Sequence, residues 1–223
     1  MLRAVVLSFA ISFALLSHVQ GQMKYAWNEM FIPKIAPLTL FDPYTPGISL
    51  GLEFQPFDAA SIQFEYNIPL SELSFFNYNA GKLNHQTTRF RGEFRYYPGR
   101  PDEAAAYYLA AEGFFTAENY SRENGTLLRN DVLYNFTTSN INRTVIGGAI
   151  KAGYQFSLSG FLMLDVFAGI GVRNVLITHQ PNALYTSALS FDSRWGGDQR
   201  EGEFWRPHIA LGVRLGMSLY ERN

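Results

Sequence analysis

The chain has 223 residues, a formal net charge of −1 and no cysteine. A disulfide-stapled secreted domain, a thiolate metal site and a cysteine nucleophile are thereby excluded. So is a basic field that would attract nucleic acid. Aromatic residues make up 16% of the sequence, with 13 Tyr and 19 Phe, an excess that suits a barrel girdled by aromatics at two membrane interfaces. The mean hydropathy of −0.07 does not contradict this, because every second residue of a barrel strand faces the lumen and dilutes the signal.

The N-terminus starts with Met1-Leu2-Arg3 and continues as an apolar, small-residue run over 4–16. That run is too short to cross a bilayer as a helix and fits the hydrophobic region of a signal peptide. Val19-Gln20-Gly21 supplies small residues for cleavage. The expected organisation is a signal peptide over 1–21 and one barrel domain over 22–223.

Eight strands are predicted. Residues 31–40 form a weak strand carrying two prolines, which suits a seam or strand end. After the turn cluster 42–47, the strand 48–55 alternates: Ile48, Leu50, Leu52 and Phe54 oppose Ser49, Gly51, Glu53 and Gln55. Residues 61–68 set Ile62, Phe64, Tyr66 and Ile68 against Ser61, Gln63, Glu65 and Asn67. The strand 88–97 opposes Phe90, Phe94 and Tyr96 to a column of Arg89, Arg91, Glu93 and Arg95. Over 106–118 the pattern is less clean, since Tyr108 and Phe114 share the face of Glu112. Residues 144–156 place Ile146, Ile150 and Tyr154 opposite Gly147, Ala149, Lys151 and Gly153. Residues 162–173 alternate Leu, Val and Ile against Asp165, Phe167, Gly169, Gly171 and Arg173. The last strand, 209–220, has large apolar residues at every odd position and Ala, Gly, Arg, Gly, Ser and Tyr at the even ones. A period of two is the signature of a strand with two unlike faces.

The links alternate in length. Those at 56–60, 98–103 and 157–160 are short, and those at 71–86, 119–142 and 178–205 are long, which is the outer-membrane arrangement of periplasmic turns and extracellular loops. The fold class expected is all-β: an eight-stranded antiparallel up-and-down transmembrane β-barrel with periplasmic termini.

The polar faces collect Glu53, Glu65, Glu93, Glu112 and Asp165 together with Arg89, Arg91, Arg95, Lys151, Arg173 and Arg214. The apolar faces carry no charge. A charge at the bilayer midplane costs about 2–4 kcal/mol on a lipid-facing site, so this segregation is what a membrane barrel needs. An eight-stranded barrel is just wide enough to be filled by its own side chains. The nearly balanced charges are therefore expected to form a hydrogen-bonded, non-conducting plug rather than a one-sign ring.

The alternating strands, the segment Arg91-Gly92-Glu93-Phe94-Arg95-Tyr96-Tyr97 and the terminal strand resemble the small outer-membrane barrel families of the OmpA/OmpX type. The resemblance covers residues 30–220. Tyr220 is followed by Glu221-Arg222-Asn223, so the usual final aromatic is not last, and no peptidoglycan-binding domain follows. The resemblance implies a membrane barrel and carries over no catalytic residue.

Several residues were weighed as sites. His85, His179 and His208 fall in or beside the long links, and Ser187, Ser190, Asp192 and Ser193 lie near the latter two. A lipid-modifying or proteolytic enzyme at the outer rim is conceivable from such residues, but no spacing selects it. No cofactor or metal is expected, and the chain is read as a non-enzyme. Tyr185, Phe191, Trp195, Phe204 and Trp205 are candidate outer-rim binding residues, or an aromatic girdle. Asn119, Asn124, Asn135 and Asn142 stand in Asn-x-Ser/Thr sequons and are read as polar loop residues. The partners expected are outer-membrane lipid and lipopolysaccharide, with an extracellular ligand or host surface met through 71–86, 119–142 and 178–205, and a monomeric state. The competing fold reading is a soluble lipocalin-like barrel with its apolar face inward.

Overall fold

The computed structural model describes residues 31–42, 45–57, 59–70, 81–98, 105–158, 161–186 and 198–217. Eight strands run β1 (Phe31–Ala36), β2 (Gly47–Phe57), β3 (Ala60–Pro69), β4 (Leu83–Tyr96), β5 (Ala105–Arg129), β6 (Val132–Ser157), β7 (Leu162–Thr186) and β8 (Gly202–Met217). Each pairs antiparallel with its sequence neighbour, and β1 pairs with β8 to close the barrel. The expected eight-stranded up-and-down topology is the observed one.

The closure is staggered. Hydrogen-bonded partners followed from Lys34 run through Gly51, Glu65, Arg91, Phe114, Gly147 and Arg173 to Arg206 on β8. Lys34 itself pairs with Gly216, ten residues further along β8. That stagger tilts the strands and sets a bore that side chains can fill.

The weak first strand is shorter than the sequence suggests. It stops at Ala36, and Pro37 opens a short 3-10 helix, Pro37–Phe41. Proline has no N–H for the ladder but suits a first helical position. The larger difference concerns two long links. Residues 119–142 are mostly strand: β5 and β6 continue to a two-residue turn at Asn130 and Asp131, both at positive φ. That is the type of turn whose twist matches a hairpin. β7 likewise reaches Thr186. A bilayer-spanning strand needs about 9–11 residues, so strands of 25 and 26 residues raise a three-stranded wall well beyond any membrane. The wall's inner face carries an apolar cluster: Tyr120, Ile141, Val145, Val175 and Ile177 are buried together against Phe114 and Phe204. Arg200 closes a parallel bridge to Leu128, so the segment before β8 returns across this wall.

The two faces of the barrel are inverted relative to a soluble protein. The outer face exposes Leu50, Leu52, Phe64, Phe90, Phe94, Leu109, Ile146, Ile150, Ile170, Ile209 and Leu211. Ile150, Ile170 and Ile209 are direct cross-strand neighbours and are 65%, 75% and 71% exposed. The inner face buries Lys34, Glu53, Glu65, Glu93, Arg95, Glu112, Lys151, Asp165 and Arg214.

The inward glycines are not lining an open bore. Tyr108 stands directly opposite Gly153, Phe114 opposite Gly147 and Phe167 opposite Gly212. At each of these glycines an added Cβ would run into the ring of the opposite aromatic. The rings therefore lie flat across the strand, filling space that a side chain on the partner would take. This resolves the irregular face over 106–118, where Tyr108 and Phe114 share the side of Glu112: both point inward, each over its own glycine.

Gly212→Val is expected to push Phe167 into Lys151 and Arg214, whose charges lie 4.3 and 4.0 Å from its ring centre. The loss should be about 1–3 kcal/mol, as for other overpacked interiors, read by urea unfolding of the folded barrel. Gly113→Ala is the control, because nothing lies within 4 Å of a Cβ there, and it should leave the midpoint unchanged within about 0.5 kcal/mol.

Candidate functional site in the barrel lumen

The lower lumen is an ion lattice. Asp165 on β7 accepts from Tyr108 Oη at 2.6 Å, Arg95 Nη2 at 2.9 Å and Lys34 Nζ at 3.1 Å, and Arg214 Nη1 lies at 3.4 Å. Glu93 accepts from Arg95 Nε at 2.7 Å and Arg214 Nη2 at 3.0 Å, and also pairs with Lys151. Glu53 takes Arg95 Nη1 at 3.2 Å and Tyr97 Oη at 2.6 Å, with Lys34 and Ser61 also in contact. Glu65 pairs with Arg214, and Arg91 stands 3.9 Å away. Glu93 and Glu112 are direct cross-strand neighbours of like charge. Lys151 Nζ bridges them, 2.7 Å from Glu112.

The rings over glycine complete this lattice. Arg95 sits 4.3 Å above the ring of Tyr108, while Lys151 and Arg214 sit over Phe167. Cations over aromatic faces gain most where water is excluded. At Gly153–Tyr108 and Gly212–Phe167 the lumen therefore stacks glycine backbone, ring and cation. Eight strands leave no room for a hydration shell around these charges, so each must be neutralised by a neighbour.

The sequence-derived lumen set divides by place. Glu53, Glu65, Arg91, Glu93, Arg95, Glu112, Lys151, Asp165 and Arg214 come together in the lower lattice. Lys34 belongs with them and was missed, because the strand around it alternates poorly and is interrupted by Pro33 and Pro37. Arg89 sits higher, donating to Asp42 Oδ2 at 2.6 Å and Thr45 Oγ1 at 2.7 Å. Arg173 is also higher, opposite Arg206 on β8.

A second buried ionic group, unforeseen in the sequence, lies under the wall. Glu118 accepts from Arg143 Nη1 at 2.8 Å and Lys82 Nζ at 3.5 Å. Asp198 accepts from Tyr120 Oη at 2.9 Å, with Arg143 and Lys82 Nζ at 3.8 and 4.0 Å. The signal was present, since Glu118 and Tyr120 continue the inward parity of Glu112, but residues 119–142 read as loop.

Among the described residues the three histidines stand apart from one another. His208 stacks on Phe114 with ring centres 4.5 Å apart. It pairs with Gly171, eight residues before His179 on β7, or roughly 25 Å along a strand. His179 is buried; its Nε2 meets the Asp198 carbonyl at 2.8 Å and its Nδ1 is 3.5 Å from Ser139 Oγ. His85 contacts Thr87 Oγ1 at 2.9 Å. Among the described residues no group of His, Asp and Glu could hold a metal ion. Ser187, Ser190, Asp192 and Ser193 lie outside the described residues, as do Phe191, Trp195 and the 221–223 tail. Of the rim aromatics that are described, Tyr185 and Trp205 face outward, 53% and 70% exposed, whereas Phe204 turns inward onto the wall's apolar cluster.

No family model matches the chain, and no curated protein does. Among solved structures it is similar to CarO of Acinetobacter baumannii, at 12% identity and a TM-score of 0.37, over 84% of this chain and 96% of that one. It is similar to Acinetobacter baumannii CarO2 at 13% identity and a TM-score of 0.34, over 83% and 95%.

Two outcomes follow from these contacts. Asp165→Asn strips one charge from a site surrounded by Lys34, Arg95 and Arg214, and should destabilise the barrel by about 3–5 kcal/mol, the usual cost of breaking a buried pair. Lys34→Met added to it should restore part of that loss, measured on the same urea curves. In the wall, burial pushes the His179 imidazole below its ordinary value, with the Asp198 carbonyl and Glu201 only partly opposing it and Arg129 adding to the depression. An unfolded histidine takes its proton near pH 6.5. The wall should thus lose stability as pH falls from about 6.5 toward the lowered value, with no further loss from this group below it and none above 6.5. The protection factor of the Leu128 amide, which bonds Gln199, should fall over that interval once the pH dependence of the intrinsic exchange rate is divided out, and His179→Gln should abolish the fall.

Proposed function

We propose that the chain is an integral outer-membrane barrel of a Gram-negative-type bacterium, of the small OmpA/OmpX kind, serving as a non-conducting anchor for its extracellular wall. The inversion of faces carries this reading. The apolar residues point outward over all eight strands, and the charges point inward and pair. A soluble lipocalin-like barrel needs an apolar interior for its ligand, which a lumen holding Asp165, Arg95, Arg214 and Glu93 does not offer. Water would solvate neither the exposed Ile150–Ile170–Ile209 row nor its neighbours, whereas lipid does.

The rest of the proposal follows from the strand ends. β1 begins and β8 ends at the rim of the short β2–β3, β4–β5 and β6–β7 links, and the three-stranded wall rises from the other rim, so we assign the first rim to the periplasm and the wall to the outside. The close pairing of buried charges across the lumen favours a structural and surface-binding role over transport. The charges sum to balance in the lower lumen, which is unlike the one-sign ring of a selective pore. The chain acts as a monomer and carries out no chemistry of its own.

Ile170→Arg discriminates between membrane and water on the outer face. In a bilayer near midplane it should cost about 2–4 kcal/mol, seen as lost heat-modifiable migration after refolding into vesicles. In a water-facing barrel the same change would leave folding unaffected. In planar bilayers the native chain should give no stepwise conductance, and steady open channels would sink the anchor reading.

A further inference from the structure

The outer face of the extracellular wall is unlike the belt beneath it. In the first rung above the apolar residues, Gln86, Asn119, Asn142 and Thr178 are cross-strand register partners from β4 to β7. The next rung is Ser121, Asn140 and Gln180, and the third is Glu123, Thr138 and Asn182. Gln86, Asn119, Asn140, Asn142, Thr178, Gln180 and Asn182 are exposed, while the residues between them on β6, Ile141 and Arg143, are buried. Within these three rungs only Glu123 is charged, and the one large apolar residue is Leu83, the β4 partner of Ser121 at the edge of the second rung.

Asparagine is depleted in strands, so a strand-borne grid of it runs against local preference. Such violations gather at functional surfaces. The chemistry of the grid is narrow. Each amide offers two donors and an acceptor, and each hydroxyl offers one donor and acceptor lone pairs. Ser121 Oγ already donates to Asn140 Oδ1 at 2.7 Å, so neighbouring side chains are held in register. A protein partner would need aromatic or arginine anchors, and a phosphate-rich surface would need cations; these rungs have neither. A neutral polymer bearing many hydroxyls is complementary to them in both charge and hydrogen bonding.

We infer that this face binds neutral polysaccharide, the sugar chains borne by glycolipids of the leaflet in which the barrel sits. The inference rests on the outer-membrane reading for its choice of source, because the grid begins where the apolar belt ends and meets whatever lies just outside the hydrocarbon. Lateral sugar chains would lie along the three rungs, and the wall's height keeps the binding face at their level. Two sequon asparagines, Asn119 and Asn142, are thereby given a place as cross-strand neighbours in the first rung.

The test uses the full folded barrel in detergent, isotope-labelled so that its Asn and Gln side-chain amides are resolved by NMR. Lipid-free neutral O-polysaccharide is titrated in, with inorganic phosphate and an acidic polysaccharide as separate arms. Saturable shifts of the Asn119, Asn140, Asn142, Gln180 and Asn182 amides with the neutral chain alone are expected. Asn140→Ala/Asn142→Ala/Gln180→Ala should weaken binding at least about tenfold, as loss of central contacts does. Gln180→Ala alone, on the wall's outer strand, should weaken it measurably and guards against misfolding of the triple variant. No shift, an equal shift with phosphate, or unchanged binding by folded variants would overturn the inference. The sugar carries no lipid and the barrel is already in detergent, so failure here leaves the membrane reading standing. Failure of that reading would appear separately, in the Ile170→Arg experiment.

Discussion

The whole structure depends on one constraint: charges inside an eight-stranded bore have no water to solvate them. Asp165 illustrates it. Held by Arg95, Lys34 and Tyr108, with Arg214 alongside, it is completely buried and lies at the meeting point of β1, β4, β5, β7 and β8. These strands are hundreds of atoms apart along the chain but share one ionic centre. Their closure into a ring is therefore cooperative, since an incomplete lattice leaves a buried charge without its partner. The register of the closing pair, Lys34 opposite Gly216, sits beside this centre and is fixed with it.

The glycines follow from the same constraint. A bore filled with arginine and lysine has little room left for aromatic side chains standing upright. Tyr108, Phe114 and Phe167 find space by lying flat over cross-strand glycines, and Tyr108 and Phe167 then offer their faces to the cations above. Glycine normally weakens a strand. Here its missing side chain lets one ring serve as both packing and counter-surface. Above the lattice the constraint relaxes: the wall's inner side combines an apolar cluster with the Glu118–Arg143 ionic group, and its outer side is polar.

Much of this was legible in the residues. The period-two pattern of 48–55, 61–68, 88–97 and 162–173 follows from the pleat itself, and the segregation of charge to one parity marks which face is inward. Lys34 escaped because prolines broke the alternation around it. The wall escaped because its outer parity is amide and hydroxyl rather than apolar, so 119–142 lost the contrast by which a strand is recognised. The hairpin signal at Asn130-Asp131 was present but overshadowed by that polarity. Phe204 and Trp205 show a finer limit: adjacent in sequence, they necessarily face opposite sides, and only one can belong to an outer rim.

The sequence by itself determined the strand number and the sidedness of each strand, because these depend on local parity and on the segregation of charge to one face. Only the tertiary structure decided which charges meet. Lys34 and Asp165 are 131 positions apart, and their contact depends on a ten-residue stagger that no single strand encodes. The same holds for Tyr108 over Gly153 and for the rungs of Asn119, Asn142 and Thr178. Such pairs are products of register between strands, and register is set when all eight close around a lumen whose charges must balance.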